Sequence, residues 1–82
     1  GIRETVNSRS ILAFPNPAQD RVSFGLPDGE QFVTVELLDM LGRMTTVEGD
    51  GRSISIAAFS NGSYTARIRT PDSVFIARII KN

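Results

Sequence analysis

From Ile11 onward the apolar residues of this 82-residue chain recur mostly at every second position, and no segment keeps a helical period over two turns. Such alternation puts apolar side chains on one face of an extended chain and polar ones on the other, so the chain can bury itself only as half-covered strands. Short strands are predicted at 11–14, 21–26, 32–38, 43–47, 53–56, 63–69 and 74–81. Pro15 and Pro17 stop the first, because neither can donate to a ladder. Val22, Phe24 and Leu26 share a face of the second. Val33, Val35 and Leu37 share one in the third, with Thr34 and Glu36 opposite, and Ile54 and Ile56 point inward from the fifth.

The turns between these strands have recognisable chemistry. Pro27-Asp28-Gly29 reverses the chain. Asp39-Met40-Leu41-Gly42 has Asp at the first and Gly at the fourth position, as in a type I turn whose Gly takes a left-handed conformation. Glu48-Gly49-Asp50-Gly51 reads as a flexible reversal. In the last hairpin Pro71 excludes the two-residue primed turns, so Thr70-Pro71-Asp72-Ser73 becomes a four-residue loop that pairs Arg69 with Val74. That register sets Ile68 opposite Phe75, Ala66 opposite Ala77 and Tyr64 opposite Ile79, all on one face. The pattern predicts an all-β fold, an antiparallel β-sandwich of about seven strands, with an open five-stranded barrel as the alternative.

Composition narrows what such a domain can do. The chain has no cysteine and no histidine, which removes disulfides, thiol chemistry, the commonest general base and the commonest transition-metal ligand. Net charge is zero, unfavourable for general nucleic-acid binding. The charge is nonetheless uneven: residues 1–50 hold four arginines against eight carboxylates, and residues 51–82 hold five cations against Asp72. No apolar run approaches the roughly 20 residues that cross a bilayer. Residues 1–10, with only Ile2 and Val6 apolar, have linker composition, leaving 11–82 as one small domain. With Gly first and no signal peptide, the chain is expected to be a piece of a longer protein.

No catalytic, metal or cofactor site is expected. The carboxylates fall in separate turns, apart from Glu36 and Asp39, and the loop at 48–51 lacks the alternating acids of a calcium loop. Asp39, Gly42 and Arg43 are accounted for by turn formation, with Arg43 pairing with Asp39 or Glu36. Tyr64 lies inward near a corner, its ring filling the core and its hydroxyl bonding to backbone. The outer face of the last hairpin is different. Arg67, Arg69 and Arg78 stand there beside Val74, Ile76 and Ile80, with Lys81 at the end, more β-branched apolar residues than a solvated face needs. These seven residues are the candidate partner-binding surface, to which edge-strand pairing could add backbone hydrogen bonds.

Four phrases, in order, resemble the type A C-terminal sorting domain of the type IX secretion system of Bacteroidota. They are Pro15-Asn16-Pro17 after an opening strand; Asp39, Gly42 and Arg43 in an Asp-x-x-Gly-Arg turn; a corner of Phe59-Ser60-Asn61-Gly62-Ser63-Tyr64; and the basic, apolar end Arg78-Ile79-Ile80-Lys81. Phe59 stands where the family usually has leucine, arginine replaces lysine at several points, and Ala77 fills an inward position. The resemblance implies an immunoglobulin-like sandwich that is a non-catalytic address. It would be read by an outer-membrane translocon after transit through the periplasm, leaving its parent protein at the outer membrane, on the cell surface or outside the cell. It also implies a sortase-like cysteine protease that cuts ahead of the sandwich, within 1–10. The alternative is an accessory, adhesion or signalling-ligand domain that binds a protein or carbohydrate. A carbohydrate platform is the weaker form of it, since there are five Phe, one Tyr and no Trp.

Overall fold

The structure, a computed structural model, describes residues 8–82. Eight strands follow one another among them: β1 (Ser8–Ser10), β2 (Ala13–Phe14), β3 (Arg21–Phe24), β4 (Thr34–Leu38), β5 (Met44–Val47), β6 (Ser53–Ser55), β7 (Gly62–Arg69) and β8 (Val74–Lys81). They form a five-stranded sheet in the order β1-β8-β7-β4-β5 and a three-stranded sheet in the order β2-β3-β6. Strands β2-β3-β6 stand where A-B-E stand in an immunoglobulin domain, β8-β7-β4 where G-F-C stand, and β5 is added beyond β4. The fold is therefore an immunoglobulin-like β-sandwich and not an open barrel.

Alternation explains the core. Val22, Phe24, Val35, Leu37, Ile54, Ile56, Ile68, Phe75 and Ile79 are all fully buried between the sheets. Each contributes about 1.5–3 kcal/mol by leaving water, and with no disulfide available this burial is the main favourable contribution. The last hairpin has the expected register, with Ile68 opposite Phe75, Ala66 opposite Ala77 and Tyr64 opposite Ile79.

Three expectations are corrected. First, Ser8–Ser10, placed in the linker by its composition, is a strand paired in parallel with Val74, Phe75 and Ile76 of β8, so not every pair is antiparallel. Residues 1–7 of the expected linker lie outside the described residues. The pairing uses backbone groups while Arg9 and Ser10 stay exposed, which is why no apolar pattern marks it. Arg9 lays its guanidinium 5.4 Å from the centre of the Phe75 ring. Second, Val33 does not join Val35 and Leu37 in the core and is 67% exposed. The ladder begins at Thr34, and Phe32 is buried instead, edge-on to Phe24 with ring centres 6.2 Å apart.

Third, the reversal at 48–51 is a fixed turn. The Asp50 carboxylate accepts hydrogen bonds from the backbone N–H groups of Arg52 (3.0 Å) and Ser53 (2.8 Å) and from the Ser53 hydroxyl (3.0 Å). The Asp50 N–H in turn reaches the Ser53 carbonyl at 3.1 Å. Gly49 lies so close to this turn that a Cβ there would run into the Ser53 carbonyl oxygen and sit 2.8 Å from the Phe32 ring. Gly49→Ala should therefore lower stability by about 1–3 kcal/mol, read by urea unfolding, because backbone must move to admit the methyl group. An unchanged midpoint would mean that the turn gives way freely.

Asp50 also sets an acid limb of stability. The Arg52 N–H first, then the Ser53 N–H and hydroxyl, hold its carboxyl down from 3.8 to about 2. A depressed folded value means that the contribution is complete above about pH 4 and is lost as pH falls towards 2. Asp50→Asn should flatten the melting temperature across that window relative to wild type. Equal slopes in the two proteins would overturn the assignment.

Candidate functional site

Pro15, Asn16, Pro17, Asp39, Gly42, Arg43, Gly62 and Tyr64, from three of the family phrases, collect at one end of the sandwich together with the fourth phrase, Arg78–Lys81. Strand pairing brings them there: Gly62 lies opposite Lys81, Tyr64 opposite Ile79, and Leu38, just before the Asp39 turn, opposite Thr65. Asp39, Tyr64 and Asn16 among them hold backbone with their side chains. One Asp39 carboxylate oxygen accepts from the N–H groups of Leu41 and Arg43, both at 2.9 Å, while the other takes the Arg43 guanidinium at 3.0 Å. The Arg43 N–H, followed by its guanidinium and the Leu41 N–H, keeps this carboxyl below its ordinary range. Of the two expected partners, Arg43 thus chooses Asp39. Gly42 closes the turn at φ 88°, a conformation that a side chain resists. The Tyr64 hydroxyl donates to the Ser60 carbonyl at 2.6 Å, and its ring meets Phe59 edge-on at 5.5 Å, so Phe59 takes over the packing.

Asn16 does the most unusual work. The peptide bonds before Pro15 and Pro17 are both cis. Between the two prolines, the Asn16 side-chain amide donates to the Arg78 carbonyl at 3.0 Å, and its oxygen accepts from the Ile80 N–H at 2.9 Å. A paired strand residue would offer β8 the same donor and acceptor. Ile11 binds the Ile76 carbonyl above this point, and Ala18 binds the Ile80 carbonyl and the Asn82 N–H below it. With β1 at Val74, Phe75 and Ile76, the outer edge of β8 is covered along its length. Edge-strand pairing at this hairpin is thereby corrected: the chain's own residues 8–18 hold that edge.

The candidate partner-binding residues lie on the outward face of the five-stranded sheet, except one. Arg67, Arg69, Val74, Ile76, Arg78 and Ile80 share that face. Lys81 pairs with Gly62 and follows the alternation of Ile79, which puts it on the opposite side. Glu36 of β4, half-buried, takes the Arg67 guanidinium at 3.1 Å and lies 3.9 Å from that of Arg69. Arg78 makes no ion pair among the described residues. Sequence reading missed a further part of the face, a hollow of about 230 Å³ bordered by Leu38, Met44, Thr65 and Ile76, with Glu36 and Arg67 beside it. The doublet Leu37-Leu38 was the available signal, because two successive leucines in a strand cannot both point inward.

The secretion system C-terminal sorting domain family matches residues 12–82, and the chain belongs to that family. Comparison with curated proteins and with solved structures gave no match.

If Asn16 substitutes for a strand, its two bonds should separate by substitution. Asn16→Asp keeps an acceptor for Ile80 but points a carboxylate at the Arg78 carbonyl, and should cost about 1–3 kcal/mol in urea unfolding. Asn16→Ala should in addition speed hydrogen exchange at the Ile80 amide. Unchanged exchange there would show that the side chain does not seal the edge.

Proposed function

For a member of this sorting-domain family, we propose a non-catalytic C-terminal secretion signal that carries its parent protein through the type IX outer-membrane translocon. The route runs through the periplasm to the outer membrane, the cell surface or the medium. The family match over residues 12–82 is the observation that carries this reading. The direction of the chain supports it. Ser8 lies beside Val74, next to the turn at 70–73, whereas the family phrases gather at the opposite end. Ser8 thus lies at the end of the sandwich away from the phrases. A sortase-like cysteine protease acting ahead of Ser8 would leave β1 on β8. The outward face of the five-stranded sheet is the proposed recognition surface. A carbohydrate platform has less support, since Phe24, Phe32 and Phe75 are buried and Phe14 alone among the phenylalanines is largely exposed.

The structure also decides how to test it. Removing residues 78–82 would take away Ile79 from the core and both partners of Asn16, so a loss of sorting would report unfolding. Replacing Arg67 would leave Glu36 half-buried without its nearest cation. The double variant Arg78→Ser with Ile80→Ser changes two exposed side chains and should keep the fold within about 1 kcal/mol. Fused behind a reporter in a bacterium with type IX machinery, the intact chain should deliver it to the surface and the double variant should deliver several-fold less. Retention of the reporter by the intact chain would overturn the sorting function; normal delivery by the variant would move recognition off this face.

A further inference from the structure

We infer that the hollow on the outward face of the five-stranded sheet is a pocket for one bulky apolar side chain on an acidic segment of a partner protein. The inference rests on reading this face as the recognition surface and adds what it recognises.

The hollow arises from side-chain size within two cross-strand rows. Met44, Leu38, Thr65 and Arg78 lie side by side across β5, β4, β7 and β8, and Thr46, Glu36, Arg67 and Ile76 form the next row. Thr65 is the short member of its row, so a depression opens over it, lined by Glu36, Leu38, Met44, Arg67 and Ile76. Its borders are Leu38 at 36% and Met44 at 50% exposure, together with half-buried Ile76. Four strands thus cooperate to keep apolar surface facing outward around a small floor, where a solvated face would carry polar residues. Apolar hollows of this kind take the anchoring residue of a partner, and the charged rim around them selects it.

The rim is basic. Glu36 is already engaged by Arg67 and Arg69, and Arg78 stands beside the Thr65 floor with no ion-pair partner among the described residues. A side chain seated in the hollow therefore brings its neighbours along the partner chain close to Arg78 on one side and to the Arg67–Glu36 pair on the other. Carboxylates complement that surroundings and ammonium groups oppose it. Among the described residues the face has no exposed aromatic ring on which a base could stack, which favours an acidic protein segment over a single-stranded nucleic acid.

The test uses the 82-residue chain and an acetylated, amidated pentapeptide with phenylalanine between two pairs of glutamates, followed by amide chemical shifts. Saturable shifts are expected at Leu38, Met44, Thr65, Ile76 and Arg78, weakening as salt is raised. Thr65→Leu, which fills the hollow, should weaken binding at least about tenfold. Met44→Thr, which removes a wall, should weaken it several-fold, and either variant can serve if the other melts early. The pocket is overturned if no saturable shift appears up to about 10 mM peptide, or if a lysine-flanked peptide binds equally well. It is also overturned if the same residues shift with protein concentration alone, which would assign the face to a second copy, or if they respond only to anionic phosphatidylglycerol vesicles. Because no secretion machinery is present, peptide binding without reporter delivery would sink the sorting reading alone. Delivery without peptide binding would sink the pocket alone.

Discussion

β8 is hydrogen-bonded along both edges, and most of the structure is arranged around that fact. Its inner edge carries the eight-residue ladder to β7, which delivers Phe75, Ala77 and Ile79 to the core. Its outer edge is held by β1, Ile11, the Asn16 amide and Ala18 in succession. A strand at the end of a small domain without disulfides would otherwise present unpaired backbone groups to water and to other chains. Here β1 and the segments on either side of β2, residues 11–12 and 15–18, close that edge. The two prolines cannot donate hydrogen bonds, and the side chain between them supplies what the backbone there does not.

The residues of the phrases that resemble the family include several that make this closure and the adjoining turns. Asp39 and Arg43 tie a turn, Gly42 permits it, Tyr64 anchors a corner through Ser60, and Asn16 completes a ladder. Their shared end of the molecule follows from that role. The outward sheet face is built differently: it gathers arginines and aliphatic residues that no turn or core position requires. One set of residues secures the shape, and the proposed recognition face is drawn from the other.

Much of this was legible in the amino-acid order, wherever a feature depends on a local rule. The β7–β8 register followed from Pro71 and two-residue alternation, the Asp39 turn from the preferences of Asp and Gly, and the placement of Tyr64 from its inward parity. What escaped had no local rule behind it. Ser8–Ser10 pairs through backbone, so its side chains say nothing. Val33 obeys the alternation but lies one residue ahead of the ladder, where Phe32 wins the buried position. The Asp50 turn reads as loose because it is rich in glycine, yet Gly49 is there for close packing. The hollow depends on Thr65 lying between larger residues from three other strands, a relation visible only once those strands are neighbours. Lys81 was grouped with Arg78 by charge, while strand parity separates them.

The seal made by Asn16 joins points 62 and 64 residues apart in the chain. Contacts of such long range form only after most of the loop entropy has been spent, which slows folding relative to a domain held by neighbours in sequence. The core has the same dependence, because the inner face of β8 is needed to complete it. During synthesis, therefore, the first strands cannot settle into the native sandwich until the final one has emerged. The incomplete chain lacks its native packing for the whole of that interval, and the finished sandwich reports that translation has run to the last residues of β8.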